Sequence, residues 1–288
     1  MPPGSTDNPS GKRLVARDRA LDTSRPLVMG IVNRTPDSFY DKGSYFAFDA
    51  FLRVAEERVA AGADIIDIGG VKAGPGEEVT LDEELERVVP AVAAVAERFD
   101  VAISADTWRA AVLKEALAAG AHIGNDISGL RDPEYAPVAA RYRAAVVCTH
   151  IRLEPRVPDP DPHYGDLVGE VAAFLGERAV YAESLGVARE SVVVDAGFDL
   201  GKTTPQSLEL LRRTAVLASQ GYPVLISASN KGFLGEALDL PISERRSASL
   251  AAACFGLLSG ASIFRVHDVG GTRRALDAIA AIAERRSR

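Results

Sequence analysis

Short apolar runs rich in Val and Ile alternate along the chain with longer runs whose apolar residues return every third or fourth position. The short runs predict strands and the longer ones amphipathic helices. The strand candidates are PLVMGIV (26–32), ADIIDIG (63–69), VAISA (101–105), AHIGND (121–126), AAVVCT (144–149), SVVVD (191–195), PVLIS (223–227) and ASIFRV (261–266). Helical runs such as LDEELERVVPAVAAVAERF, WRAAVLKEALAAG and TRRALDAIAAIAERR lie between or after them. In AAGADIIDIGG, AAGAHIGNDISG and LSGASIFRVHDV a helix ends at Gly and the chain steps straight into a strand. Gly supplies the left-handed turn that lets the helix stop there. Eight strand–helix units with no dividing linker predict an α/β fold, a single (β/α)8 TIM barrel. The rival, a doubly wound open sheet, more often shows a Gly-rich phosphate fingerprint after its first strand. This chain has NRTPDSFYDKG there.

Composition narrows the picture. The 288 residues are 47% hydrophobic, enough for one large core. Residues 1–24 read as a flexible polar tail, and residues 25–288 as the barrel domain. A net charge of -7 gives no overall basic field for nucleic acid, so no nucleic-acid partner is expected. No run of about 18 apolar residues predicts a membrane span, and the N-terminus does not read as a signal peptide. A cytoplasmic protein is expected. Cys148 and Cys254 lie in apolar runs and read as buried free thiols.

The chemistry lies at the strand ends. In such a barrel the C-terminal ends of the strands converge on one face. The chain places Asn33, Asp106, Asn125, Asp126, His150, Asp195, Ser229, Lys231, Arg265 and His267 there. Singly, each has a plain explanation. Asp106 could cap the next helix, Asp126 and Ser128 could tie a loop, and Asp268 could pair with Arg265. Together they share one mouth, where burial without a ligand would cost desolvation for no gain. Carboxylates and amides at this density fit a planar heterocycle rich in N–H groups. Arg265 and His267 alternate on the last strand, and with Asn33 they make a compact anion or metal–anion site. Lys231 is a point charge able to reach a ring carbonyl or an anion.

These stretches resemble the dihydropteroate synthase family, segment by segment from about residue 26 to the C-terminus. MGIVNRTPDSFYDKG, ISADT, NDISG, VDAGFDLGKT, SASNKGFLG and FRVHDV follow the family's signatures in order. The resemblance implies a barrel that binds a dihydropterin methyl pyrophosphate and displaces pyrophosphate with the amine of p-aminobenzoate, assisted by Mg2+. By matching positions, Asp106, Asn125, Asp195 and Lys231 would hold the pterin, with Ser229 beside them. Asn33, Arg265 and His267 would hold pyrophosphate and Mg2+, Asn33 serving the metal. Lys231, Asp106 and Arg265 are the residues expected to carry catalysis. The resemblance also implies a homodimer, and the run SASLAAACFGLLSG, with small apolar residues on more than one face, is consistent with that.

The departures from the family gather in one loop. Where the family reads Gly-Gly-Glu-Ser-Thr-Arg-Pro-Gly, this chain reads GGVKAGPG, with Val71, Lys72, Ala73 and Gly74 in place of Glu, Ser, Thr and Arg. Leu200 stands at an aromatic wall position, and Arg34 and Lys42 depart from the first loop's pattern. The floor for the pterin is kept; the loop for the second substrate is not. This is similar to the divergent second member that some bacteria carry, one of little or no activity. The preferred reading is a pterin-binding homologue whose synthase activity is weak or lost. A genuine synthase is the alternative. A barrel moving a methyl group from a methyl-folate to a corrinoid has no supporting residue here. Lys72 or Arg34 could replace the missing charge, though neither reproduces an Arg fork. Trp108 reads as packing between helices rather than as a cover for the pterin.

Overall fold

A computed structural model describes residues 13–34, 44–74 and 76–284. The eight expected strands are present, each within two residues of its expected start. They are β3 (Leu27–Ile31), β4 (Ile65–Gly69), β5 (Ala102–Asp106), β6 (Ile123–Asp126), β7 (Ala145–Thr149), β8 (Val192–Asp195), β9 (Val224–Ile226) and β10 (Ile263–Val266). They close into one parallel barrel in chain order, with β10 pairing back onto β3. Helices between the strands cover the outside, from α1 (Ser44–Ala60) to α10 (Val269–Glu284).

The closed barrel follows from strand parity. Successive side chains point to opposite faces. Leu27, Met29, Ile65, Ala102, Ile123, Ala145, Val147, Val193, Leu225 and Ile263 fill the barrel interior. Their neighbours Val28, Ile66, Ile68, Ile103, Val146, Val192, Val194 and Phe264 pack outward under the helices. The three glycines expected to stop helices, Gly62, Gly120 and Gly260, all have positive φ. The second helix, α2 (Leu81–Arg98), starts on a capping box in which Thr80 Oγ1 accepts from Glu83 N and Glu83 answers to Thr80 N.

Two elements differ from the sequence reading. The tail expected over residues 1–24 is corrected at its inner end. Residues 13–22 form an antiparallel hairpin, β1 (Arg13–Ala16) and β2 (Arg19–Asp22), while residues 1–12 lie outside the described residues. Leu14 and Ala16 are fully buried among the barrel's interior side chains. Those partners sit at the strand starts, so the hairpin closes the end opposite the active mouth. Arg17 fastens it, donating to the carbonyls of Leu117 and Ala121. The pattern missed it because four-residue strands carry little periodicity. The second difference is α8 (Gly232–Leu238), a short helix that the sequence reading assigned to no element. After β8 the chain forms two short helices that part at Arg213, α6 (Thr204–Arg212) and α7 (Thr214–Ala218). The two thiols are free, Cys148 buried as expected and Cys254 only half-buried.

If the hairpin belongs to the core, Leu14→Ala lowers stability by on the order of 3 kcal/mol. Thermal unfolding then shifts down by roughly 6–12 °C. Arg13→Ala, at the exposed end of β1, leaves the melting temperature unchanged. Equal melting of the two variants would remove the hairpin from the core.

Candidate active site

Strand parity delivers the polar side chains to one place. Asp67 follows Ile65 on the inner face of β4, and Asp106, Asn125, Asp195 and Arg265 take the corresponding inner positions near the ends of β5, β6, β8 and β10. Arg265 is the centre of this layer. Its Nε donates to Asp67 Oδ2 at 2.6 Å and its Nη2 to Asp106 Oδ2 at 2.5 Å. Asn125 Nδ2 approaches the same Asp67 carboxylate at 3.3 Å and 3.4 Å. Asp67 is fully buried. An Arg between two carboxylates is what allows charge to stay this deep.

The other floor residues come from the sixth and seventh loops. Asp195 Oδ1 accepts from Gly197 N at 2.8 Å. Lys231, at the start of α8, donates to Phe198 O at 2.6 Å. Asn33 reaches the floor beside Gly69. A Cβ on that glycine would stand 3.0 Å from Asn33 Oδ1 and 3.3 Å from Asp106. Glycine there leaves the room in which an amide oxygen and a carboxylate share the mouth. At the rim, Ser229 Oγ and His267 Nδ1 are 3.0 Å apart.

Burial tunes these groups. Loss of solvent raises Asp106 to about 7, Arg265 opposes the rise, and Asp67 adds to it. Burial likewise raises Asp195 against the pull of Lys231, and lowers Lys231 against that of Asp195. For Arg265, burial acts to lower the pKa, but Asp67 and Asp106 outweigh it and hold the guanidinium above its ordinary value. Partial desolvation, with Arg265 and Arg58 nearby, lowers His267 to about 4, although the residue keeps an exposed edge.

Several plain readings are now decided. Asp106 does not cap the next helix; it pairs with Arg265. Asp268 pairs with Arg246 at 2.7 Å rather than with Arg265. Asp126 points to the outer face of β6 and ties its loop, accepting from Ser128 N, Ser128 Oγ and Leu130 N. His150 is buried against Phe174 in an edge-to-face contact, its pKa pushed down to about 3 mainly by burial. Of the expected anion trio of Asn33, Arg265 and His267, Arg265 already engages two carboxylates through Nε and Nη2. Trp108 is half-buried with the Arg109 guanidinium over its ring.

The second loop is held by its backbone. Arg87 donates to Gly70 O at 3.0 Å, Arg109 to Val79 O at 2.8 Å, and Arg156 to Glu77 O. Val71 is buried, whereas Lys72, Ala73 and Gly74 are exposed. Arg34 does not stand in for the missing Arg. Its Nη1 donates to the carbonyls of Glu86 and Arg87 on α2, and its guanidinium lies over Phe48. Lys42 and Pro75 fall outside the described residues.

Sequence reasoning missed Asp67. The signal was present: a lone carboxylate amid Ile65, Ile66 and Ile68 in a buried strand. Lys202 was missed as well. Its buried Nζ donates to the carbonyls of His150, Gly197 and Leu200, tying the sixth loop to the fifth. Burial, with Lys231 nearby, lowers it to about 7.

A parallel barrel with buried carboxylates, amides and cations at its strand ends is a small-molecule site of the kind that takes a polar heterocycle. The sequence profile described as "Pterin binding enzyme" matches residues 29–267. A relative from Mycobacterium tuberculosis (strain ATCC 25618 / H37Rv), named "Inactive dihydropteroate synthase 2", is 47% identical over 94% of this chain and 85% of its own length. "Dihydropteroate synthase" of Escherichia coli (strain K12) is 40% identical over 93% of this chain and 96% of its own length. Among solved structures, the Yersinia pestis dihydropteroate synthase in a sulfonamide drug complex superposes with a TM-score of 0.88 at 39% identity, covering 94% of this chain and 99% of that one. The Xanthomonas albilineans enzyme in complex with 7,8-dihydropteroate gives 0.85 at 37% identity, covering 94% and 98%. The chain belongs to the dihydropteroate synthase family of pterin-binding enzymes.

Replacing Arg265 tests the charge layer. Arg265→Met leaves Asp67 and Asp106 buried without a cation, a loss of about 3–5 kcal/mol. The sign with pH follows from Asp106. Its folded pKa lies above its unfolded value, so stability falls as pH rises from about 4 towards 7. Without Arg265 that pKa climbs further, and the fall extends to higher pH. Urea midpoints should therefore lie closest to wild type at acid pH and furthest from it at alkaline pH. A difference independent of pH would contradict the pairing.

Proposed function

We propose that the mouth binds a dihydropterin methyl pyrophosphate and that its turnover to dihydropteroate is weak or lost. One observation carries the reading. The floor keeps Asp106, Asn125 and Asp195 at the ends of β5, β6 and β8 and Lys231 at the start of α8, while Ala73 and Gly74 bring no hydrogen-bonding side chain to the second loop. Asp106 and Asp195 would accept from ring N–H and amino groups, and Asn125 and Lys231 would meet the ring carbonyl side. Ser229 and His267 would face the anionic end.

Loss of pyrophosphate from such a ligand leaves positive charge on the pterin methylene. Asp106 and Asp195 would share that charge, and a cation at the rim would steady the leaving group. The amine of p-aminobenzoate then forms the new C–N bond and gives up a proton to solvent. No strong general base is required. Losing an Arg fork and a Thr hydroxyl removes on the order of 2–5 kcal/mol from this scheme. That corresponds to roughly 30- to 5000-fold in rate.

Mg2+ fits the donors in one respect. Among the described residues no group of three or more His, Cys, Asp or Glu could hold a metal ion. Mg2+ does not need such a cage, since it binds through one or two protein oxygens, waters and substrate phosphates. Asn33 Oδ1, set in the mouth beside Asp106, would supply one such oxygen. When bound, the ion would neutralise charge on the departing pyrophosphate.

The second reading, a working synthase, has support in the E. coli relative, which matches over nearly its full length. The same family reading takes the protein to be a cytoplasmic homodimer. Among the described residues no helix is long and apolar enough to cross a membrane. On α9 (Arg246–Leu258), Phe255 and Leu258 are exposed on the side away from buried Ala252, Ala253 and Gly256, which supports pairing of two copies.

Calorimetry with the pterin pyrophosphate should show binding that Asp195→Ala or Lys231→Ala abolishes. Synthase turnover should fall at least about 30-fold below that of the E. coli enzyme. The double change Ala73→Thr with Gly74→Arg should raise it by about tenfold or more. Wild-type turnover within tenfold of the E. coli enzyme would establish the second reading instead.

A further inference from the structure

The sixth loop, residues 196–203, holds an unusual backbone path. Gly197, Asp199 and Gly201 have positive φ, at 66°, 65° and 62°. For Asp199, which is not a glycine, that conformation persists only where the surroundings hold it. The loop is also pressed onto the fifth, since a Cβ on Gly197 would stand 2.0 Å from His150 O. Carbonyl oxygens of the two loops therefore crowd one small space, where their partial charges repel.

Lys202 fills that space. Its Nζ donates to Gly197 O at 2.9 Å, to Leu200 O at 2.9 Å and to His150 O at 3.3 Å. An ammonium carries three N–H donors, and three carbonyls from two loops meet them. Lys202 is only 7% exposed. A buried ammonium is a costly way to fill space, and the convergent carbonyls offset that cost.

Three consecutive residues of this loop hold the floor. Gly197 N donates to Asp195 Oδ1 at 2.8 Å and so orients that carboxylate. Phe198 O accepts from Lys231 Nζ at 2.6 Å. Asp199 Oδ2 accepts from Gly232 N at 2.7 Å, which fixes the chain one residue past Lys231. Asp195 ends β8 and Lys231 starts α8, so the loop between them sets one relative to the other. Lys202 acts on both through the loop that it gathers.

We propose that Lys202 is a positioning residue for ring binding, whose ammonium draws together the carbonyls of His150, Gly197 and Leu200 and thereby sets Asp195 and Lys231 at the spacing that a ring ligand needs. Its effect on a ligand rests on the reading of the mouth as a pterin site. Its effect on the loop does not.

The test compares the full-length wild type with Lys202→Met and Lys202→Arg. Calorimetry with 6-hydroxymethylpterin reads the ring site, and hydrogen exchange without ligand reads the loop. Lys202→Met should weaken the pterin by about tenfold or more. It should also speed exchange of the Gly197 and Gly232 amides by about tenfold or more. Lys202→Arg keeps a cation with several donors, and Lys202 lines a cavity of about 140 Å³ that has room for the larger head group. Its pterin affinity should stay within about threefold of wild type. Leu14→Ala, which lowers stability from the opposite end of the barrel, should leave pterin affinity unchanged. Wild-type pterin affinity in Lys202→Met overturns the proposal, as does unchanged exchange at Gly197 and Gly232. Lys202→Arg binding as weakly as Lys202→Met overturns it too. If Lys202→Met does not fold, Lys202→Gln, which lacks the charge and one donor, is read in its place. If the wild type binds no pterin, the pterin reading falls, and exchange at Gly197 and Gly232 alone decides whether Lys202 holds the loop.

Discussion

The mouth of this barrel depends on one arrangement, the Arg265 guanidinium held between the carboxylates of Asp67 and Asp106. Each of those ions alone would cost several kcal/mol to bury. Together, and with Asn125 leaning on Asp67, they can sit inside a parallel barrel. The three charged residues come from β10, β4 and β5, and Arg265 reaches past β3 to make both contacts. The arrangement is thus a tie across strands that are not all neighbours. It sets the floor on which any ligand rests. It also fixes the electrostatics, since it consumes the cation nearest the floor, while burial still holds Asp106 above its ordinary value against the pull of Arg265.

A division of labour follows. The floor is built from strand ends, whose positions are set by the ladder and whose side chains are locked by burial. The second loop is shaped from outside, by three Arg side chains that grip its carbonyls at Gly70, Glu77 and Val79. Backbone capture of this kind does not depend on what side chains the loop carries. The loop can keep its frame whatever side chains stand at Val71, Lys72, Ala73 and Gly74. The floor and the loop can therefore change independently, because different interactions hold the two parts. The relatives bearing both kinds of name are consistent with that separation.

The same logic explains the opposite end. The β1–β2 hairpin inserts Leu14 and Ala16 among the interior side chains at the strand starts, where no chemistry is needed. An apolar plug suits that end, and a buried layer of mutually paired charges suits the other.

The barrel could be read in advance because period-two strands and period-three-to-four helices repeat eight times, and each repeat is a local signal. Asp106, Asn125, Asp195 and Arg265 were legible for a related reason: they lie at or next to strand ends, and Lys231 lies in the loop after one, and in this fold all strand ends meet. What each side chain does there was not legible. That Arg265 is consumed by Asp67 and Asp106, that Asp268 turns to Arg246, and that Asp126 faces outward depend on distances between residues far apart in the chain. Four-residue hairpin strands are too short to show a period, so β1 and β2 escaped. Asp67 escaped because a carboxylate inside an apolar strand announces a partner without naming it. Hydrophobic order along the chain determined the architecture, since burial is a property each segment carries by itself. Only tertiary structure decided the charge pairing, because a buried ion's state depends on which distant residue closure of the barrel brings within 3 Å.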